Sequence, residues 1–167
     1  MLKRIARLRV PLGFLAAAAA FALARPTWQS WSIGLAVALL GESVRIWAAG
    51  HIEKGREITS SGPYRFVRHP LYLGSALLGV GFVAAAMSVP VAIVVVLYLG
   101  ITISAAIRTE EATLDERFGG AYTNYRDGAA TPVARPFSLN RAVRNREYRA
   151  VMGLVAGFAV LVWRIRG

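Results

Sequence analysis

The chain has 167 residues, 56% of them hydrophobic and 17% charged, with a mean hydropathy of +0.47. Its apolar residues come in long blocks rather than at amphipathic spacing, which excludes an ordinary soluble domain and predicts an all-α integral membrane protein, residues 1–167 forming one domain. A net charge of +11 would point to nucleic acid in a soluble protein, but the basic residues flank apolar blocks and point to topology and anionic headgroups; the lack of cysteine excludes disulfides and thiol chemistry, and His51 and His69 are too few for a multi-histidine metal site.

Lys3, Arg4, Arg7 and Arg9 precede an apolar run over residues 10–24. The run is read as a first transmembrane helix, with a signal peptide ending near Ala22-Leu23-Ala24 as the alternative; both readings place Arg25 outside. Residues 31–49 form a second span carrying Glu42 and Arg45, three apart and therefore on one helix face. Ionisable groups within a span face protein or a wet cavity. Two readings stay open for this pair: mutual neutralisation, or a polar contact to a ligand headgroup.

Residues 50–69 are the first substantial loop, and the stretch 61–74 at its end organises the chain. It reads Ser-Gly-Pro-Tyr-Arg-Phe-Val-Arg-His-Pro-Leu-Tyr-Leu-Gly. Pro63 and Pro70 break helix, and Gly62 and Gly74 permit tight turns or close backbone approach. Tyr64, Arg65, Arg68, His69 and Tyr72 are packed between them, a density of hydrogen-bonding side chains that a plain connector does not need. Residues 71–87 and 89–107 are the third and fourth spans, separated by little more than Ser88 and so joined as a tight helical hairpin. Gly74, Ser75, Gly79 and Gly81 in one, with Gly100 and Ser104 in the other, predict close approach of these two helices.

Beyond Ile107 the chain turns hydrophilic. Residues 108–118 have helical character, with Leu114 and Phe118 at i, i+4; Gly119-Gly120 interrupts it, and Tyr122 and Tyr125 follow. A loop with Pro132 and Pro136 leads to a last apolar segment, 150–163, read as a fifth transmembrane helix or, alternatively, a tilted interfacial one. The preceding Arg144-Asn145-Arg146-Glu147-Tyr148 is read as that helix's interfacial anchor rather than as a cap on a pocket.

With five spans and an inner N-terminus, 16 of the 20 basic residues fall on one face, which the positive-inside rule assigns to the cytoplasm. Both polar loops lie on that face, and the hairpin must bring residues 61–72 and 108–125 together. Tyr64, His69, Tyr72, Arg108, Glu110, Glu111, Tyr122 and Tyr125 then converge. Glutamates accept from hydroxyls or an ammonium, His and Arg bind carboxylate, and aromatic faces attract an onium cation. Singly, each has a bland reading as interfacial tyrosine, topology arginine or solvated acidic face; the functional reading rests on the convergence.

The order Ser-Gly-Pro-Tyr-x-x-x-Arg-His-Pro-x-Tyr-x-Gly, two spans, then Glu-Glu-x-x-Leu-x-x-x-Phe-Gly-x-x-Tyr-x-x-Tyr, resembles the isoprenylcysteine carboxyl methyltransferase family. The wider group includes membrane phospholipid methyltransferases, and the resemblance covers residues 56–125. It implies S-adenosylmethionine (SAM) as methyl donor in a cytosolic-face pocket closed over by the C-terminal region, with a lipophilic acceptor entering from the bilayer. Tyr64, His69, Pro70, Leu71 and Tyr72 match its SAM-binding segment, Arg56, Glu57, Ile58 and Thr59 fall on its preceding binding strip, and Glu110 matches its acidic SAM ligand. The family's acceptor arginine falls at Ala106, so the nearest arginine, Arg108, is assigned to the acceptor, and Glu111 or His69 is the base an amine acceptor would need. The family's Val-Pro-Arg stretch corresponds to residues 130–136, where Arg135 takes the arginine's place, and the last apolar helix is an addition.

The expected reaction is direct displacement at the SAM methyl by an acceptor oxygen or nitrogen, with the protein supplying alignment and desolvation. A carboxylate acceptor needs no base at neutral pH, so carboxyl O-methylation of an isoprenylcysteine-like, prenylated or other lipophilic acceptor is the leading expectation. The expected partners are that acceptor and membrane lipids, with no nucleic acid and no metal. A phospholipid or amine N-methyltransferase of the same fold, an NADPH-dependent sterol-reductase-like enzyme and a non-enzymatic membrane scaffold are the alternatives.

Overall fold

The computed structural model describes residues 2–131 and 133–167, with side chains described from residue 13 onward. The side chains of Lys3, Arg4, Arg7 and Arg9, and Pro132 as a whole, lie outside the described residues. Seven α-helices follow in order: α1 Leu2–Leu23, α2 Trp28–Ala49, α3 Pro70–Ala86, α4 Val89–Phe118, α5 Gly120–Arg126, α6 Leu139–Arg144 and α7 Tyr148–Arg166. A 3₁₀ turn, Gly62–Arg65, precedes α3, and there is no strand among the described residues.

Local chemistry sets the boundaries. Helix α2 starts three residues earlier than the apolar pattern implies because Thr27 and Ser30 cap it reciprocally, Ser30 N donating to Thr27 Oγ1 at 3.1 Å and Thr27 N to Ser30 Oγ at 2.9 Å. Pro70 and Pro90 stand in the first turns of α3 and α4, where no intrahelical N–H is needed. Only Met87 and Ser88 separate these helices, so the expected tight hairpin is present, with α3 ending one residue earlier than read. Helix α4 runs unbroken through 30 residues, about 45 Å. A hydrocarbon core is about 30 Å thick, so the fourth span and residues 108–118 form a single rod whose last turns stand clear of it.

Three helices, α2, α4 and α7, are long and apolar enough to cross a membrane. Helix α3, with 17 residues, and the apolar part of α1, Gly13–Leu23, are shorter apolar helices. Of the five spans expected from the sequence, three are helices of full spanning length and the other two are shorter apolar helices.

The closest helix packing is between α2 and α3, not within the hairpin. Gly34, Ala38 and Gly41 of α2 face Gly74, Gly81 and Ala85 of α3 so closely that a Cβ on Gly34 would lie 2.4 Å from the Gly81 carbonyl oxygen, and one on Gly41 2.8 Å from that of Gly74. This corrects the expectation that Gly74 and Gly81 serve the α3–α4 approach. Only Gly79 faces α4, against Leu99 and Val95, and Gly100 faces open space. Helix α7 packs against both α2 and α3, and Trp31 Nε1 donates to the Phe158 carbonyl at 3.0 Å. Helix α1 reaches α3 through an edge-to-face contact of Phe21 with Phe82, centroids 5.3 Å apart. The common core is small and alanine-rich, with Ala20, Ala24, Ala38, Ala85, Ala86 and Val91 closed by Phe158 and Leu161.

Between α5 and α7 the chain returns as a strap over the loop that follows α2. Ser138 N donates to the Gly50 carbonyl, Asn145 Nδ2 to those of Ala49 and Ile52, and Arg141 and Arg144 each reach Glu53 at 2.9 Å. The Arg141 hydrogen bond holds the Glu53 carboxyl below its ordinary range.

Candidate functional site

Where the 50–69 loop, the projecting end of α4 and the start of α7 meet, the fold encloses a cavity of about 960 Å³, a size suited to a small-molecule ligand. One wall is the stretch that organises the sequence. Gly62, at φ +55°, turns the backbone so tightly against the His51 ring that a Cβ there would lie 2.5 Å from it, and this glycine opens the 3₁₀ turn that carries Tyr64. His51 is itself buried and its Nδ1 is 3.1 Å from Ser61 Oγ. From α5, Tyr125 Oη donates to the Tyr64 carbonyl at 2.9 Å, fastening the turn to the far side of the cavity.

The opposite wall follows helical periodicity. Thr102, Ala106, Thr109, Glu110, Thr113 and Arg117 of α4 all face the cavity, at the three- and four-residue steps that put side chains on one face. Glu111 is turned by one residue and looks elsewhere. Its Oε1 lies 3.1 Å from His69 Nε2 and 3.6 Å from Arg68, so it ties the start of α3 to α4. The hydrogen bond from His69 is the main reason that its carboxyl is held below the ordinary value of 4.5, with Tyr122 also contributing.

Of the residues singled out in the sequence, Glu57, Ile58, Thr59, Tyr64, His69, Pro70, Leu71, Tyr72 and Glu110 line this cavity together. Arg56 and Arg108 are exposed and do not line it. Arg108 precedes Glu110 by two positions, roughly half a turn, which puts it on the far side of α4. Glu57 is paired with Arg135, which also donates to the His51 carbonyl at 3.2 Å. Tyr122 is buried beside Glu111 and burial raises its hydroxyl to about 12. Tyr64 is 8% exposed, and its hydroxyl makes no hydrogen bond among the described residues; burial first, then Glu110, raise its pKa strongly.

Two further residues line the cavity: Arg45, whose contact to a ligand headgroup the sequence left open, and Glu147, which the sequence did not single out for the site. Arg45 reaches it from α2, its NH1 donating to the Leu71 carbonyl at 3.3 Å and to Ser75 Oγ. Glu147, from the residue that caps α7, stands 2.7 Å from Arg45 Nε. The segment read as an interfacial anchor thus forms part of the cavity wall, with Asn145, Arg146, Glu147 and Arg149 all lining it. A buried-face glutamate immediately before an apolar helix, with an arginine inside another span, was the signal for this contact. Among the described residues no group of three or more His, Cys, Asp or Glu side chains gathers as it would around a metal ion.

Residues 18–121 match the family described as phospholipid methyltransferase. The nickel-cobalt-cadmium resistance protein NccN of Alcaligenes xylosoxydans xylosoxydans is 34% identical over 98 residues, 55% of this chain and 46% of that protein. The cobalt-zinc-cadmium resistance protein CzcN of Cupriavidus metallidurans is 35% identical over 123 residues, 69% and 56% of the two chains. This chain therefore spans about half the length of these curated relatives, and no solved structure matches it. The family match covers more than half of the chain and takes in the cavity walls from Arg45 to Glu110: the chain belongs to the phospholipid methyltransferase family.

Proposed function

We propose that this protein is a SAM-dependent membrane methyltransferase that acts on a lipophilic acceptor, with its site at the cytoplasmic face. The observation that carries the reading is a single cavity that joins Tyr64, Tyr72 and Glu110 at its polar end to Ser75, Thr102 and Ala106 on the apolar parts of α3 and α4. A polar donor and a lipid-like acceptor require such a junction.

The residues present fit SAM. Tyr64 offers a buried hydroxyl with no partner of its own, Glu110 supplies a carboxylate for an ammonium or ribose hydroxyls, and the Tyr64 and Tyr72 rings suit an onium centre. Lys54, Arg68 and Arg146 line the cavity and suit a carboxylate. When bound, SAM supplies a methyl group already activated by its sulfonium charge. The protein's part is to hold the acceptor in line with that methyl, exclude water and handle a proton where the acceptor carries one. His69 holds Glu111 and through it the α3–α4 rim, so its part in this reading is to keep the polar end in shape.

The carboxylate acceptor implied by the isoprenylcysteine resemblance calls for a cationic partner. Arg108 does not line the cavity and Arg45 already faces Glu147, which leaves Lys54, Arg68, Arg117, Arg146 and Arg149 of the lining to meet a carboxylate. An amine acceptor, of the kind expected for a phospholipid N-methyltransferase, is the second reading. Calorimetry on detergent-solubilised protein tests the shared core of both: SAM or S-adenosylhomocysteine binds, NADPH does not, and Glu110→Ala weakens the SAM interaction by about tenfold or more. Binding of NADPH in place of SAM would replace this reading with the reductase.

A further inference from the structure

We propose that the end of the bundle opposite the Glu110 cavity holds the phosphate group of an anionic ligand between Arg25 and Arg164. The phosphate comes from a lipid headgroup or from a free phosphate. The inference goes beyond the methyltransferase reading and does not rest on it.

A second cavity, of about 470 Å³, lies where the end of α1, the α3–α4 turn and the end of α7 meet. Its volume is within the range of small-molecule sites. Arg25, Arg164 and Ser88 supply its polar lining, beside Leu23, Met87 and Val89. Helices α3 and α7 run from one cavity to the other: Pro70 and Ala150 near their starts line the first, and Met87 and Arg164 near their ends line the second. A ligand here therefore stands clear of the polar end of the first cavity.

Charge singles out this end of the molecule. The five-span topology expected from the sequence leaves Arg25, Arg164 and Arg166 as the basic residues on the outer side. The acidic residues all fall within 42–57 and 110–147, and none lines this cavity. None of the three arginines has an ion pair among the described residues.

An arginine at a helix end is ordinarily an interfacial anchor, and Arg166 fits that description. It stacks 5.9 Å over the Trp28 ring and does not line the cavity. Arg25 and Arg164 are placed differently. Arg164 Nη2 donates to the Ala22 and Ala24 carbonyls at 3.4 and 3.3 Å, groups that the end of α1 leaves open. That contact holds the guanidinium at the cavity and leaves its Nε and Nη1 donors unused among the described residues. The Arg25 backbone N–H donates to the Ala86 carbonyl at 2.8 Å, which fixes the residue against the end of α3. Its guanidinium makes no hydrogen bond among the described residues. Ser88 adds a hydroxyl that does not cap α4.

Three sets of uncommitted donors thus come to one space from three separate elements. A phosphate offers oxygens in several directions at once and takes forked hydrogen bonds from arginine, so it can engage all three. Leu23, Met87 and Val89 are exposed beside these donors, and they suit the acyl chains of a lipid whose headgroup sits between the arginines. A phosphate held there ties α1, the hairpin turn and α7 together, so its binding stabilises the fold.

The test uses the full-length protein in an uncharged detergent. Retained lipid is counted by native mass spectrometry from mixed micelles of phosphatidylglycerol or phosphatidylcholine. Thermal unfolding is followed with each lipid, and with sodium phosphate against sodium chloride at equal ionic strength. The unmodified protein is expected to retain more phosphatidylglycerol than phosphatidylcholine and to gain stability from it. Arg25→Gln removes a side chain with no other tie, so its unfolding midpoint in detergent alone should stay unchanged. It should nevertheless retain one phosphatidylglycerol fewer and gain less stability from that lipid. Arg164→Gln should lose the same lipid, but it also frees the end of α1, so Arg25→Gln decides. Arg166→Gln takes the same charge from the same end without touching the cavity, and should retain as much lipid as the unmodified protein. Stabilisation by sodium phosphate that Arg25→Gln abolishes, without preference for phosphatidylglycerol, supports the site and assigns it to a free phosphate. Equal lipid loss in Arg25→Gln and Arg166→Gln overturns the proposal, as does the absence of any Arg25-dependent effect of either phosphate source.

Discussion

Helix α3 is joined to α4 through Met87 and Ser88 alone and to α2 through the whole stretch 50–69, yet it packs against α2. The α2–α3 seam sets Gly34, Ala38 and Gly41 of α2 against Gly74, Gly81 and Ala85 of α3, so the two backbones meet directly. The α3–α4 pair is closed at mid-length of α3, where Gly79 receives Leu99 and Val95, and is pinned again at the start of α3 by His69 and Glu111. Between those two closures lies the cavity. Proximity in the chain brought the site's halves to one end of the bundle, and the placement of the small residues left space between them.

The sharpest way to break this comparison is at Arg45, which belongs to the tight seam and also borders the space. Arg45→Ala leaves Glu42 and Glu147 buried without their cation and removes the ties to Leu71 and Ser75. A loss of about 3–5 kcal/mol is expected, read from denaturant unfolding in detergent by tryptophan fluorescence. A loss below about 1 kcal/mol would mean that the cluster is solvated and the seam self-sufficient.

Next in size is the seam itself. Gly34→Val places a side chain where even a Cβ lies 2.4 Å from backbone, and backbone cannot yield as a flexible side chain does. About 3 kcal/mol of destabilisation is expected, with a matching fall in unfolding midpoint in the same assay.

Much of this arrangement was legible beforehand, and the misses share one cause. The apolar blocks gave most helix ends to within three residues, but α1 begins at Leu2, eight residues before its apolar run, and the start of α2 was missed because the Thr27–Ser30 capping pair lies outside the apolar pattern. The meeting of Tyr64, His69, Tyr72 and Glu110 followed from connectivity, since a two-residue turn between antiparallel helices returns the chain to the same end. Which neighbour a helix face meets does not follow from connectivity. Gly74 and Gly81 were assigned to α4 because it comes next, although the steps Gly34, Ala38, Gly41 on α2 match those of Gly74, Leu78, Gly81 on α3. Arg108 failed for a simpler geometric reason, a half turn of helix, and Glu147 because its partner lies a hundred residues earlier in the chain.

A smaller effect sharpens the pin at the rim. Glu111 is depressed below its ordinary 4.5 chiefly by the His69 hydrogen bond, so its contribution is fully present above about pH 4.5 and is lost as pH falls through the lower value in the folded protein. The side chain is a third exposed, so solvent screening limits the contribution to about 0.5–1 kcal/mol. The stability difference between the unmodified protein and Glu111→Gln should be constant from neutral pH down to about 5 and shrink below about 4.5. A difference that instead grows on acidification would place the carboxyl in a site that favours its neutral form.

The smallest expected effect is the most informative about the space between α3 and α4. A side chain at Gly100 meets nothing within 4 Å, so Gly100→Val removes a helix-weakening glycine and adds an apolar side chain facing lipid or the open side of the hairpin. The change should lie within about 0.5 kcal/mol of zero, against about 3 kcal/mol for the same valine at Gly34. Both substitutions add the same atoms to a glycine within an apolar helix, so the difference between them measures packing with chemistry held constant. Equal losses at the two positions would mean that α4 closes on a neighbour as tightly as α2 does on α3. A closed hairpin of that kind has no room for an acceptor chain beside Thr102 and Ile103, and the cavity would then serve the polar ligand alone.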